Sequence, residues 1–160
     1  TFTLRAGARQ FTSTLPAKTT GTYVWAGAGD AGASPSRSGP ISGYGGKCVD
    51  VPGGSTANGA QVQLWTCNGS AAQTWNPGSD GTIRALGKCL DVNAASSANG
   101  AKVQIYDCNG TAAQQWTAAA DGTLRSLGKC LDATGPSSAD GTKLQIWDCF
   151  AGDNQRWVLP

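Results

Sequence analysis

A chain of 160 residues with 39% hydrophobic residues has enough apolar material for one ordinary domain, and its composition is neither that of a disordered chain nor that of a membrane protein. Charged residues make up 14%, 12 basic against 10 acidic for a net charge of +2, and no Lys or Arg cluster forms, which argues against nucleic acid and anionic membrane as partners and favours an uncharged one. Histidine is absent and the 6 cysteines contain no Cys-x-x-Cys pair, so no metal or other cofactor is implied; three disulfides in a secreted, extracellular protein are the better reading. The absence of methionine is expected of a mature or excised chain.

In chain order, residues 1–4, 11–15 and 22–25 alternate apolar and polar like strands but share no pattern with the rest. Two or three strands do not make a domain. Residues 1–26 are therefore expected to be the terminal strands of a preceding β domain, and the Gly-, Ala- and Ser-rich residues 27–40 a linker.

Residues 41–160 hold three copies of one 41-residue unit. Cys48, Cys89 and Cys130 recur at that interval, as do Cys67, Cys108 and Cys149. So do Asp50, Asp91 and Asp132; Gln63, Gln104 and Gln145; Trp65, Tyr106 and Trp147; and Trp75, Trp116 and Trp157. Of the 15 pairings open to six cysteines, the simplest rule that a repeat can apply three times joins Cys48 to Cys67, Cys89 to Cys108 and Cys130 to Cys149. Residues 61–65 alternate with period two, which puts Val62 and Leu64 on the core face and Gln63 and Trp65 on the other; Val103 with Ile105 and Leu144 with Ile146 repeat it. Asn58-Gly59, Asn99-Gly100 and Asp140-Gly141 supply the turn before each of these strands. Each unit is too small to bury its apolar face alone, so the three must share one core, closed about a threefold axis. Trp75, Trp116 and Trp157 suit that core, while Lys47, Lys88 and Lys129 read as ordinary solvated residues.

Each copy carries Gly-Lys-Cys-(Val/Leu)-Asp, then Gln-x-(Trp/Tyr)-x-Cys, then Gln-x-Trp as residues 73–75, 114–116 and 155–157. Over residues 41–160 this resembles the ricin-B-type β-trefoil, in particular the family 13 carbohydrate-binding modules of bacterial glycoside hydrolases. The resemblance implies an all-β β-trefoil, non-catalytic and monomeric, with one shallow sugar pocket per copy. It assigns the pocket carboxylates to Asp50, Asp91 and Asp132, the stacking aromatics to Trp65, Tyr106 and Trp147, and further contacts to Gln63, Gln104 and Gln145. Of the Asn that usually precedes Gln-x-Trp only Asn154 is present, with Ala72 and Ala113 elsewhere; Asn68 and Asn109 stand where a compensating contact could come from, and Phe150 takes that place in the third copy. Residues 15–25 resemble, more loosely, the closing strands of the β-sandwich beside the catalytic barrel of some glycoside hydrolases, such as family 30. The implied role is to target a secreted glycoside hydrolase to plant-type polysaccharide containing galactose, arabinose or xylose.

The residues point the same way by themselves. If Cys48 and Cys67 face each other across an antiparallel pair, Asp50 falls opposite Trp65, and a carboxylate beside an aromatic plane is the minimal chemistry for holding a neutral sugar. Asp50, Asp91 and Asp132 lie off the core face, so their loss should leave the fold intact. The third copy, with Asn154, is the best-equipped pocket. Hydrolysis needs two carboxylates flanking the scissile bond, whereas each copy repeats one; Asp107 and Asp148 lie near the proposed pockets, but Thr66 replaces them in the first copy. The alternative is a β-trefoil used as a protein-binding scaffold such as a protease inhibitor, which would concentrate its contacts in one loop of one copy.

Overall fold

The computed structural model describes residues 37–160, so the strands expected over residues 1–26 and most of the linker expected over 27–40 lie outside the described residues. The first copy forms β1 (Cys48–Asp50), β2 (Ala60–Gln61), β3 (Gln63–Trp65) and β4 (Asn76–Pro77). The second forms β5 (Ile83–Ala85), β6 (Lys88–Val92), β7 (Val103–Tyr106) and β8 (Thr117–Ala118), and the third β9 (Leu124–Ser126), β10 (Lys129–Ala133) and β11 (Leu144–Trp147). Helical segments among the described residues are 3₁₀ turns of three residues each. One pair recurs: the Cys-x-Asp strand runs antiparallel to the Gln-x-aromatic strand in β1–β3, β6–β7 and β10–β11.

The copies interlock rather than merely abut. β2 of the first copy pairs with β7 of the second, and the same contact recurs between the other copies as single bridges, Lys102 with Gln145 and Lys143 with Gln63. A bridge from Ser42 to Val158 closes the ring at the junction of the first and third copies, and one from Gly39 to Trp75 ties the segment before the first copy to the end of that copy. Closure leaves few free sheet edges.

The period-two faces settle the core. Val49, Val62, Leu64, Leu90, Val103, Ile105, Leu131, Leu144 and Ile146 are wholly buried. Trp75, Trp116 and Trp157 are buried with them, and each indole N–H donates to a backbone carbonyl of the neighbouring Cys-x-Asp strand, that of Val49, Leu90 or Leu131, at 2.9 Å. A large apolar ring thus enters the interior with its one polar group satisfied, and truncating any of the three would cost about 3–5 kcal/mol.

The three disulfides form within the copies as the repeat requires, each with Cα atoms 5.1 Å apart. Closing loops of this length contributes about 3 kcal/mol apiece in the chain-entropy description. The strand register differs from the expectation by two residues: Cys48 faces Trp65, and Asp50 faces Gln63. Cys67 lies beyond the end of β3, so the disulfide crosses diagonally rather than marking a facing pair. Because side chains alternate with period two, a two-residue shift returns the same residues to the same face, and Asp50, Gln63 and Trp65 still share the outer one.

Candidate functional site

Each copy bears one open cleft on that outer face, of about 510, 400 and 410 Å³ in chain order. The first gathers Asp50, Gln63, Trp65 and Asn68; the second Asp91, Gln104, Tyr106 and Asn109; the third Asp132, Gln145, Trp147 and Asn154. The structure therefore brings the twelve expected residues together in three groups of four. Trp65, Tyr106 and Trp147 form one wall of each cleft, 40%, 40% and 39% exposed, although they end strands whose other face is core.

The facing rim comes from the loop after the Cys-x-Asp strand: Gly53 and Gly54, then Asn93 to Ala95, then Thr134 to Pro136. Sequence reasoning missed this rim because its residue types differ between copies; the fixed distance from the Asp was the available signal. Ala94 and Ala95 hold φ of 57° and 52° there, left-handed values that the first copy meets with Gly53 and Gly54.

The cleft floor is a buried hydrogen-bonded network, so the carboxylates, although off the apolar core face, contribute to the stability of the fold. Asp50 accepts from the amides of Gln63 at 2.9 Å and Gln73 at 3.2 Å. Asp132 accepts from Gln145 at 2.9 Å, Asn154 at 3.0 Å and Gln155 at 2.9 Å. Asp91 accepts from Gln104 at 2.8 Å, with the Gln114 amide close by. Asn154 is thus turned onto Asp132 and the Ala133 carbonyl, and orders the floor. Gln73, Gln114 and Gln155 are nearly or fully buried hubs: each accepts from the backbone N–H of residue 68, 109 or 150, and donates to the carbonyl of residue 66, 107 or 148. The Gln of Gln-x-Trp therefore ties the aromatic-bearing segment to the floor. Burial pushes the Asp91 carboxyl above its ordinary value, against the lowering influence of the Gln104 and Gln114 amides.

Asn68 and Asn109 line their clefts with side chains committed to tight turns, Asn68 Oδ1 accepting from Ser70 N at 3.0 Å and Asn109 Oδ1 from Thr111 N at 3.1 Å. Their amide nitrogens remain for a ligand. Lys88 and Lys129 are not ordinary solvated residues. Lys88 Nζ lies 2.5 Å from Asp107 and 2.9 Å from Asn58 Oδ1, and Lys129 Nζ lies 2.5 Å from Asp148 and 3.0 Å from Asn99 Oδ1. Lys47 donates to the Ser138 carbonyl and pairs with Asp140 at 3.2 Å. Asp107 and Asp148, rather than serving the clefts, close these junctions between copies.

Each cleft offers one carboxylate, two or more amides and at least one aromatic plane, in a shallow open site. This suits a neutral ring with vicinal hydroxyls on one side and C–H groups on a face.

Residues 37–157 match the family described as "Ricin-type beta-trefoil lectin domain". Two curated relatives, glucan endo-1,3-beta-glucosidases of Cellulosimicrobium cellulans and of an Arthrobacter species, are each 58% identical over 40 residues; the match takes in 25% of this chain and 7% of theirs. Among solved structures, the agglutinin of Abrus precatorius superposes with a TM-score of 0.72 at 33% identity, over 78% of this chain and 48% of that one. An exo-beta-1,3-galactanase from Clostridium thermocellum superposes at 0.70 and 33%, over 76% and 29%. The designed threefold-symmetric protein ThreeFoil does so at 0.67 and 32%, over 76% and 96%.

Proposed function

The chain belongs to the ricin-type β-trefoil lectin family, a carbohydrate-binding family with the all-β trefoil fold, and from that premise we propose that its three clefts hold single sugar units of a galactose-, arabinose- or xylose-containing polysaccharide. The module is non-catalytic, is secreted, and directs a glycoside hydrolase to its polymer. The observation that carries this reading is the threefold recurrence of a hydrogen-bonded carboxylate–amide floor beside an exposed aromatic wall. An exposed tryptophan or tyrosine at an identical place in every copy is not required by the core, which already has Trp75, Trp116 and Trp157. The hydrolase context is supported by the short, strong match to two bacterial glucanases and by the trefoil superposition on part of a galactanase chain.

Each cleft is shallow, so one site binds weakly and three sites on one polymer bind tightly through effective concentration. A glycan array followed by calorimetry identifies the sugar. The triple variant Trp65→Ala, Tyr106→Ala, Trp147→Ala then tests the site: polysaccharide binding should fall at least a hundredfold with the denaturation midpoint little changed. Retention of binding would overturn the assignment, and release of reducing sugar by the pure chain would overturn the non-catalytic reading.

A further inference from the structure

The three clefts share a floor but not a rim. After the second cysteine the first two copies read Asn68-Gly69-Ser70 and Asn109-Gly110-Thr111, each closed by its asparagine side chain; the third reads Phe150-Ala151-Gly152. Phe150 is 59% exposed and lines the third cleft together with Trp147 and Pro136. Its ring lies over Gly152: a Cβ built at residue 152 would overlap Phe150 Cε2. In the other copies this position is Ser70 or Thr111, so a ring could not lie there. The backbone N–H of Phe150 donates to Gln155 Oε1 at 2.9 Å, which anchors the aromatic to the buried floor hub.

The third cleft therefore presents two aromatic surfaces and a proline, where the first presents Trp65 opposite Gly53 and Gly54 and the second Tyr106 opposite Ala94 and Ala95. The polar floor of Asp132, Gln145 and Asn154 is buried or half-buried, whereas Phe150 is exposed at the rim. A single pyranose held by that floor against Trp147 would leave the Phe150 ring for a neighbouring unit. An apolar plane beyond a filled polar floor matches the C–H face of a second sugar unit, whose hydroxyls then point to water and need no protein partner.

We infer that the third cleft is a two-unit subsite that takes a disaccharide segment of the polymer, with Phe150 stacking on the second unit, while the first two clefts each take one unit. This rests on the sugar-binding reading above. It also makes Phe150 and Gly152 a coupled pair, the glycine giving the ring its seat.

The test resolves the sites by NMR of ¹⁵N-labelled protein, using the indole signals of Trp65 and Trp147 as reporters of the first and third clefts. Titrations compare galactose, arabinose and xylose with galactobiose, arabinobiose and xylobiose. At Trp147 the disaccharide of the sugar that binds should be roughly three- to tenfold tighter than its monosaccharide, while at Trp65 the two should be nearly equal. Phe150→Ala removes the platform, and Phe150→Leu removes its flat face while keeping apolar bulk; in both variants the ratio at Trp147 should fall to the value at Trp65. An equal ratio at both indoles in the parent protein, or a ratio at Trp147 that survives both variants, overturns the two-unit subsite and leaves the sugar-binding reading standing. No shift of either indole with any of the six sugars overturns both.

Discussion

Replacing the floor carboxylates one at a time measures what each contributes to the stability of the fold. Asp132 accepts three amide hydrogen bonds within hydrogen-bond geometry, Asp50 two and Asp91 one. At about 1 kcal/mol net per bond, Asp132→Ala should cost about 3 kcal/mol of stability, Asp50→Ala about 2 and Asp91→Ala about 1. The last is eased further because burial already disfavours the Asp91 charge. Some donors keep a second acceptor, Gln73 the Thr66 carbonyl, Asn154 that of Ala133 and Gln155 that of Asp148, which holds the larger values to these sums. With about 4 °C lost per kcal/mol for a domain of this size, the melting temperature should fall by about 12, 8 and 4 °C respectively. The three disulfides, untouched by these changes, are expected to keep every variant folded at room temperature. Differential scanning calorimetry under non-reducing conditions measures the series. Equal shifts, or Asp91→Ala as the most damaging change, would show that the amide count does not set floor stability.

Acid should destabilise the fold. The Lys88 and Lys129 ammonium groups, then the Asn58 and Asn99 amides, hold Asp107 and Asp148 below the ordinary carboxylate value; the hydroxyl and N–H of Thr82 and of Thr123 do the same for Asp80 and Asp121. Lowered native values mean stability that is present above the unfolded carboxylate range near pH 4 and is lost as pH falls through the native values. Asp91 runs the other way, its contribution present at low pH and lost as pH rises through its raised value. Urea midpoints between pH 2 and 7 should therefore drop below about pH 4. The drop should be shallower in the double variant Asp107→Asn, Asp148→Asn; a pH profile unchanged by that variant would count against the junction ion pairs. Separately, Gln104 Oε1 is buried without a partner, whereas Gln63 Oε1 accepts from Lys143 at 3.2 Å. Lys143 stands opposite Gln63 as Gln61 stands opposite Gln104, so Gln61→Lys should raise the urea midpoint, by less than about 1 kcal/mol after loss of the Gln61 bond to the Leu144 carbonyl. A lowered midpoint would show the orphan oxygen to be harmless.

Much of the fold was legible because a 41-residue repeat states each structural constraint three times. The alternation over residues 61–65 identified Val62 and Leu64 as core, and the equal cysteine intervals identified the disulfides that form. The register was not legible, since Cys67 lies past the end of β3 and a disulfide tolerates a diagonal approach. The error left the shared face of Asp50 and Trp65 intact, because two residues are one full period of a strand. The floor network was not legible either. Asp50 is buried because the 3₁₀ turn Ala71–Gln73 folds back over β1 and brings the Gln73 amide to the carboxylate, a tertiary event that no period in β1 encodes. The loop rims escaped for the opposite reason: residues 53–54, 94–95 and 135–136 share a place but read Gly-Gly, Ala-Ala and Gly-Pro.

The junctions between copies show why the repeat can vary without opening the ring. At two junctions an Asn in the turn of one copy, Asn58 or Asn99, bonds to a Lys and an Asp of the next, Lys88 with Asp107 or Lys129 with Asp148. At the third the turn residue is Asp140, and it meets Lys47 and the Thr66 hydroxyl, at 2.9 Å to the nearer oxygen. The carboxylate has crossed the junction and its neutral partner has crossed the other way, so each junction still holds one cation, one anion and one neutral hydrogen-bonding group. What persists is the charge balance and the geometry of the turn, whose glycine donates across the junction in all three, Gly59 to Ile105, Gly100 to Ile146 and Gly141 to Leu64. Asp107 and Asp148 without a counterpart at Thr66 therefore mark the ring's closure rather than a gap in a binding site. The clefts are set by a different group of residues, which is why their rims can diverge, as Phe150 and Gly152 do, while the scaffold that holds them stays threefold.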